Sequence, residues 1–462
     1  MATAEPIVNE DERLPLILGF QKIADNTNQA TSFAEYGKGI YVYDTDGREY
    51  IEATSSFYVA SLGYNNEELI DAIAAQYREL PFFVSALNRT SKASLDLAER
   101  LVAIAPVKDA HLLFGSTGSE AIDFLIKMLR FGAVARGESE RRTVIGRHGS
   151  YHGGTLASAS LTGGHHEEFG LPIEGFRHVS QPDFHGDRQP GQSASDYSAG
   201  LAGELRRLIQ REPENTIAAF FAEPISFSAG FKVPPKDYFP AIVNVLQEFA
   251  IDFVADEVVT GFGRTGALFG CDTFNLKPDH VTMAKGITSG YFPLSAIAIG
   301  NQLYQDLEVG SERFGTLAHA GTYSAHPVGA ATALKMIEII ERDHLVEHAR
   351  VMGEHLAARL QRFQGHPLVG EIRSLGLAAS IDFLRRDVND VPNNTDADEI
   401  SLAVYAALLE LGVVVRPAGR SVVIAPPLII KADEINEICA RMGHALDDVW
   451  QSLNTKSTAA KS

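Results

Sequence analysis

The sequence predicts an α/β protein: a large doubly wound domain on a mostly parallel sheet, joined to a smaller α/β domain built from both termini. Three observations carry this expectation. Short, wholly apolar runs recur through the middle of the chain, as strands buried on both faces require. Between them lie amphipathic stretches, such as Ala121, Phe124, Leu125, Met128 and Leu129, which share one helical face. At 462 residues, 45% of them hydrophobic and 21% charged, the chain is also longer than one simple core encloses.

The strands expected in the large domain are Ala110–Phe114, Thr143–Gly146, Ile217–Ala222, Ile251–Ala255, His280–Ala284 and Ser295–Ile299. Phe184–Gly200, rich in Gly, Ser, Asp and Gln, reads as a surface loop. After Pro327 an Ala-rich helical pattern, Gly329–Arg342, leads into the C-terminal part. There Leu377–Phe383, Gly412–Arg416 and Val422–Ala425 read as strands. Near the other end, Gly39–Tyr43 and Glu49–Glu52 flank Asp46-Gly47, the pattern of a hairpin. The division expected is therefore 1–70 and 327–462 for the small domain and 71–326 for the large one, with a frayed tail over Asn454–Ser462.

A formal net charge of -19 argues against nucleic-acid or anionic-membrane partners. Only Cys271 and Cys439 are present, in unrelated contexts, so neither a disulfide framework nor a zinc site is expected. Met1–Asp11 is polar and acidic, unlike an export signal, and no apolar run is long enough to span a bilayer. These features point to a soluble enzyme of the cytoplasm.

Four constellations fall where strands are expected to end, the place open α/β sheets put their ligands. Phe114–Ala121 is a strand, a small-residue turn and a helix start, whose Gly118 and Ser119 could bind an anion. It also reads as an ordinary cap by Ser116 or Thr117. After Ile251–Ala255 come two adjacent carboxylates, Asp256 and Glu257, before a glycine-rich turn. Successive strand side chains face opposite ways, so the two cannot share one role, and the one facing a buried site needs a cationic partner. A metal ligand or helix cap remains open there. Lys285 closes an apolar strand, where desolvation would lower its pKa as imine chemistry requires, although a lone lysine commonly just snorkels to solvent. Tyr151, followed by His152-Gly153, offers a ring face for stacking, or simply a packed turn. A phosphate cradle, a ring stacker, a carboxylate and a strand-end lysine together are what pyridoxal phosphate requires.

With these residues in view the chain resembles the class III aminotransferases of the fold-type I pyridoxal-phosphate enzymes along nearly its whole length. The resemblance rests on Ser-Thr-Gly-Ser-Glu-Ala (116–121), Tyr-His-Gly (151–153), Ala-Glu-Pro-Ile (222–225) and Asp-Glu-Val-Val-Thr-Gly-Phe-Gly-Arg-Thr-Gly (256–266). It continues through Ala-Lys-Gly (284–286), His-Ala-Gly-Thr-Tyr-Ser-Ala-His-Pro (319–327) and Arg416-Pro417. It implies that Lys285 holds the cofactor as a Schiff base and moves the substrate proton, and that Asp256 keeps the ring nitrogen protonated. Tyr151 and Val258 would sandwich the ring, Gly118 and Ser119 would bind the phosphate, and Glu223 would join the polar network around the ring hydroxyl. Thr322 would reach the phosphate of a neighbouring subunit, implying a homodimer with shared sites, or a tetramer built from it.

Two departures inform the substrate. Many family members carry Gln where this chain has Val259, which leaves the ring hydroxyl without its usual partner. Ornithine and GABA aminotransferases carry a glutamate where this chain has Ser228, while the arginine it would pair with persists as Arg416. That combination resembles the omega-transaminases of the amine:pyruvate type, in which Arg416 would bind the keto-acid carboxylate and swing away for an apolar amine. Ser56–Val59, with Phe57 and Tyr58, would form an aromatic wall, and Phe82 and Phe83 would add to it from the partner subunit. An omega-amino acid aminotransferase acting on β-alanine, GABA, taurine or a diamine is the alternative.

Overall fold

The computed structural model describes residues 14–23, 32–164, 166–383 and 396–460. The acidic start, Met1–Asp11, lies outside them. Three strands come first: β1 (Ala34–Lys38), β2 (Tyr41–Asp44) and β3 (Glu49–Glu52). β2 and β3 pair antiparallel, as the Asp46-Gly47 signal implies, and Gly47 turns the chain at φ +77°. Seven strands follow: β4 (His111–Gly115), β5 (Thr143–Arg147), β6 (Phe176–Val179), β7 (Ile217–Ala222), β8 (Asp252–Asp256), β9 (His280–Met283) and β10 (Ser295–Ile299). The last five are β11 (Val369–Ser374), β12 (Ala379–Phe383), β13 (Val413–Val414), β14 (Arg416–Ala418) and β15 (Ser421–Ile424).

The central sheet has the order β4-β10-β9-β8-β7-β5-β6. Every pair from β9 to β6 is parallel, and β10 alone runs antiparallel, to both of its neighbours. Alternate side chains leave opposite faces. On one face Phe221, Val254 and Ile297 pack with Leu125 and Leu303, from the helices Gly118–Ala135 and Asn301–Phe314. On the other, Phe220, Phe253 and Ala296 pack with Leu205, Ile242 and Met336, from three further helices. Both faces are dry, which explains the unbroken apolar strands in the sequence.

The chain ends meet in two smaller sheets. β13 adds to β3 in parallel, giving the order β1-β2-β3-β13, and β11-β12-β15-β14 forms an antiparallel sheet beside it. Gly412–Arg416 is thus not one strand. The chain leaves the first sheet after Val414 and enters the second at Arg416. The expected loop Phe184–Gly200 is also corrected, because helix Ala194–Arg211 occupies its second half. Ser193 starts that helix by accepting from the Asp196 amide at 3.1 Å, a cap concealed by the small polar residues around it. Of the tail expected to fray, residues 454–460 continue the helix Ala432–Ala460, and the last two lie outside the described residues. Among the described residues no helix is long and apolar enough to cross a membrane.

Candidate active site

Loops leaving the C-terminal ends of β4, β5, β7, β8 and β9 line a cavity of about 320 Å³. Six of the residues singled out in the sequence lie in its wall besides the lysine: Gly118, Ser119, Tyr151, Glu223, Asp256 and Val258. Lys285 completes them. Its backbone sits at φ +44°, a left-handed conformation rare outside glycine and tolerated where the surroundings fix it. Burial, helped by the positive Arg416, brings its ammonium down to about 8.

Asp256 ends β8 with its carboxylate fully engaged on one side. Oδ1 accepts from the Val258 amide at 3.1 Å and Thr282 Oγ1 at 3.2 Å. Oδ2 lies 2.7 Å from His152 Nδ1. A carboxylate only accepts, so His152 must carry its hydrogen on Nδ1. His152 sits inside the Tyr151–Gly153 motif and is 3% exposed, yet the sequence reading gave it no role. Its adjacency to Tyr151 in the motif is the signal the sequence offers. Glu257 points the other way, as strand alternation demands. It accepts from Thr260 Oγ1, the Gly270 amide at 2.9 Å and the Cys271 amide at 2.6 Å, tying down the loop after Asp256. Burial holds its carboxyl above the usual range.

At the helix start, Thr117 is the cap, accepting from Glu120 N at 3.2 Å. Gly118 and Ser119 follow it, so their amides have no acceptor within the helix and remain available to an anion. Thr117 thus caps the helix while Gly118 and Ser119 line the cavity. Glu223 is anchored from behind by buried Arg147, whose Nη2 is 3.1 Å from Oε2. Its other oxygen accepts from Ser226 Oγ at 2.9 Å and from Tyr151 N at 3.3 Å. Val259 also lines the cavity and brings no polar atom to it.

Tyr58 and Arg416 are not in the cavity wall and stand just outside it, beside Lys285, as a rim. Lys285 Nζ lies 5.4 Å from the Tyr58 ring, and Arg416 Nη1 donates to the Tyr58 hydroxyl at 3.3 Å. The Arg416 guanidinium also sits 5.0 Å from the Phe57 ring. Among the described residues no carboxylate pairs with Arg416, and Ser228 lines the cavity nearby. Ser55, Ser56, Phe57 and Tyr58 are all left-handed, with φ of 49° to 69°. Each costs roughly 1–2 kcal/mol, and the turn is held by Ser55 Oγ, which donates to Ala425 O at 2.7 Å and accepts from Arg264. It buries Tyr58 against Phe227, with ring centroids 4.9 Å apart, and leaves Phe57 54% exposed. Thr322 is exposed and is not part of the cavity wall.

The sequence pattern of class-III aminotransferases matches residues 23–446. The chain belongs to this family, whose chemistry depends on pyridoxal phosphate. A gamma aminobutyrate transaminase 3, chloroplastic, from Solanum lycopersicum is 38% identical over 89% of this chain and 79% of its own length. The vanillin aminotransferase of Capsicum chinense is 36% identical over 92% and 94%. Among solved structures, the omega transaminase of Pseudomonas jessenii in complex with PMP aligns with a TM-score of 0.92 at 37% identity, covering 95% of this chain and 97% of that one. The PMP-bound aminotransferase of Vibrio fluvialis gives 0.91 at 34%, with the same coverage. The cavity fits this cofactor. A Cβ on Gly118 would lie 3.2 Å from both methyls of Val258, so the glycine keeps open the slot between the helix start and the valine. A buried carboxylate and a lysine of lowered pKa stand at the cavity's other walls.

Proposed function

We propose that this aminotransferase takes an amino group from an apolar primary amine, or an omega-amino acid, and delivers it to pyruvate in two alternating half-reactions. The observation that carries this reading is Arg416 resting on Phe57 and Tyr58 with no carboxylate paired to it among the described residues, while Ser228 lines the cavity. A free guanidinium takes a keto-acid carboxylate in a forked pair. Without a charged partner to hold it elsewhere, it also leaves an aromatic wall suited to an apolar donor.

When bound, pyridoxal phosphate supplies the carbonyl that accepts the amino group and the electron sink that stabilises charge at the substrate Cα. The amides of Gly118 and Ser119 would take its phosphate, and Tyr151 and Val258 would hold its ring from two sides. Asp256, braced by His152, would keep a positive charge on the ring nitrogen. Lys285 Nζ would hold the cofactor at rest and then carry the proton to and from Cα, which a pKa of about 8 permits near neutral pH. Glu223 would orient Tyr151 through its backbone amide.

The working unit in this reading is a homodimer, or a tetramer built from it. Tyr323, next to Thr322 in the chain, is 63% exposed and meets Phe82 with ring centroids 6.0 Å apart, an exposed aromatic pair suited to a second copy. The β3–β13 pairing supports a small domain of residues 1–70 and 327–462 set against a large one of 71–326. The two unpaired, buried cysteines support a reducing, cytoplasmic setting. A second reading, aminotransfer from β-alanine, GABA, taurine or a diamine, draws on the likeness to gamma aminobutyrate transaminases. A donor and acceptor screen separates them. Turnover of phenylethylamine-like donors with pyruvate is expected to exceed turnover of β-alanine or GABA, and a clear preference for 2-oxoglutarate would remove the pyruvate assignment.

A further inference from the structure

Behind the rim lies a buried ion cluster that none of these steps uses. Asp382 of β12, 3% exposed, receives Arg373 of β11 on both oxygens, at 2.5 and 2.9 Å. Arg420 Nε reaches it at 3.1 Å and Ser421 Oγ donates to it at 2.6 Å. Lys232 and Arg420 also bind Asp183, at 2.8 and 3.0 Å, and Glu371 lies 2.6 Å from Arg373. Three cations thus meet three carboxylates, the balance a dehydrated cluster needs.

The hairpin that carries Arg416 and the loop that carries Ser228 are both tied into this cluster. Arg373 donates to the carbonyls of Gly230 and Phe231, at 2.8 and 3.1 Å, in the loop that carries Ser228. Arg420 and Ser421 close the hairpin of β14 and β15, whose first residue is Arg416. Loop and hairpin also touch directly. Gly230 is at φ +89°, and a Cβ there would lie 2.6 Å from Ser421 Oγ and 3.3 Å from Ala418 O. A side chain at that position would push the hairpin away from the loop.

We infer that Arg420, Asp382 and Arg373 are positioning residues for keto-acid recognition, clamping the β14–β15 hairpin against the Ser226–Lys232 loop and so setting where Arg416 reaches. The inference rests on the reading that Arg416 takes the acceptor carboxylate. A clamp that merely held the fold together would weaken both half-reactions alike. A clamp that aims Arg416 acts on the keto acid alone.

The test is a double-mutant cycle on the cofactor-loaded enzyme, with pyruvate and amine half-reactions measured separately. Arg420, 30% exposed in its side chain, is the mildest place to cut. Arg420→Gln is expected to raise the pyruvate KM about fivefold or more, while kcat at saturating pyruvate and the amine half-reaction stay within about twofold. Arg420→Lys, which keeps a charge beside Asp183 and Asp382, is expected to recover most of the loss. In an Arg416→Leu background, Arg420→Gln should change nothing further. Asp382→Asn should act in the same direction more strongly, and if it fails to fold, Arg420→Gln decides. Equal losses in both half-reactions, or the same KM rise with and without Arg416, would overturn the inference. A silent Arg420→Gln beside a costly Arg416→Leu sinks the inference alone. A silent Arg416→Leu sinks the reading of Arg416 first, and the inference falls with it.

Discussion

The floor and the rim of the cavity are built by different rules. The floor, Lys285 and Asp256 with His152 behind them, stands beyond or at the ends of parallel strands β9, β8 and β5 of the central sheet. Asp256 there has three partners within 3.2 Å. The rim, Arg416 with Phe57 and Tyr58, comes from a left-handed turn and a three-residue strand of another sheet. It is joined across the gap by one 3.3 Å hydrogen bond and by ring contacts. In the proposed reading, the groups that would handle protons are locked by the sheet, and the group that would serve two different substrates is held by weak, reversible contacts. If this contrast is real, changes in the floor should cost turnover with every substrate, and changes in the rim should discriminate between substrates.

The largest effect is expected from Lys285→Ala. Removing the amine proposed to handle the proton should lower turnover by about 10³-fold or more with all donors and acceptors. Single-turnover amine consumption checks it, and turnover within tenfold of the unaltered enzyme would take Lys285 out of the mechanism. Asp256→Asn keeps the shape and loses the charge. A fall of about 10²- to 10³-fold is expected, the cost of depriving a buried cation of its partner, and it should again be the same for pyruvate and 2-oxoglutarate.

Arg416→Leu should separate the two regions. The keto-acid KM is expected to rise about 10- to 100-fold, the worth of a charge-assisted forked pair, with the amine half-reaction little altered. The same substitution also probes how far the rim reaches into the floor. Arg416 helps to hold Lys285 down at about 8, with burial the larger cause. The neutral amine needed to capture the cofactor grows as pH rises through that value, so the rate of cofactor uptake by apoenzyme should climb and level off above about 8. Losing Arg416 removes a repulsion, favours the ammonium and should move that midpoint upward. An unchanged midpoint would mean the floor is electrically independent of the rim.

The two regions were also unequally legible. The floor could be read because its residues follow apolar strands, so the run Ile251–Ala255 and the step to Lys285 each carry their own local signal. Even there His152 escaped, because nothing local says which acid a histidine will meet about a hundred residues away. The strands that the sequence does not announce, β1, β6, β11 and β14 beyond its first residue, are all sheet edges. Edge strands keep polar residues, such as Arg177 and His178 in β6 or Glu371 and Arg373 in β11, and so lack the dry pattern of the centre. The ion cluster was invisible for a stronger reason. Asp183, Lys232, Arg373, Asp382 and Arg420 are each ordinary surface-type residues in sequence, and only the assembled fold makes them neighbours.

The smallest expected effect falls on Phe57, and it tests whether ring contacts really hold the rim. The guanidinium of Arg416 lies 5.0 Å from the Phe57 ring, on a residue still 54% exposed. A cation–π contact at such a site is worth about 0.5–1 kcal/mol, so Phe57→Leu should raise the pyruvate KM only about two- to fivefold. Leucine keeps most of the apolar bulk, so the donor side should feel the change less than the acceptor side. Steady-state KM values for pyruvate and for one apolar amine, measured on the same preparation, decide it. A donor KM that moves more than the pyruvate KM would mean that Phe57 shapes the amine pocket rather than the resting place of Arg416. Arg416 would then be left to Tyr58, whose hydroxyl bond and buried ring would have to hold the guanidinium unaided.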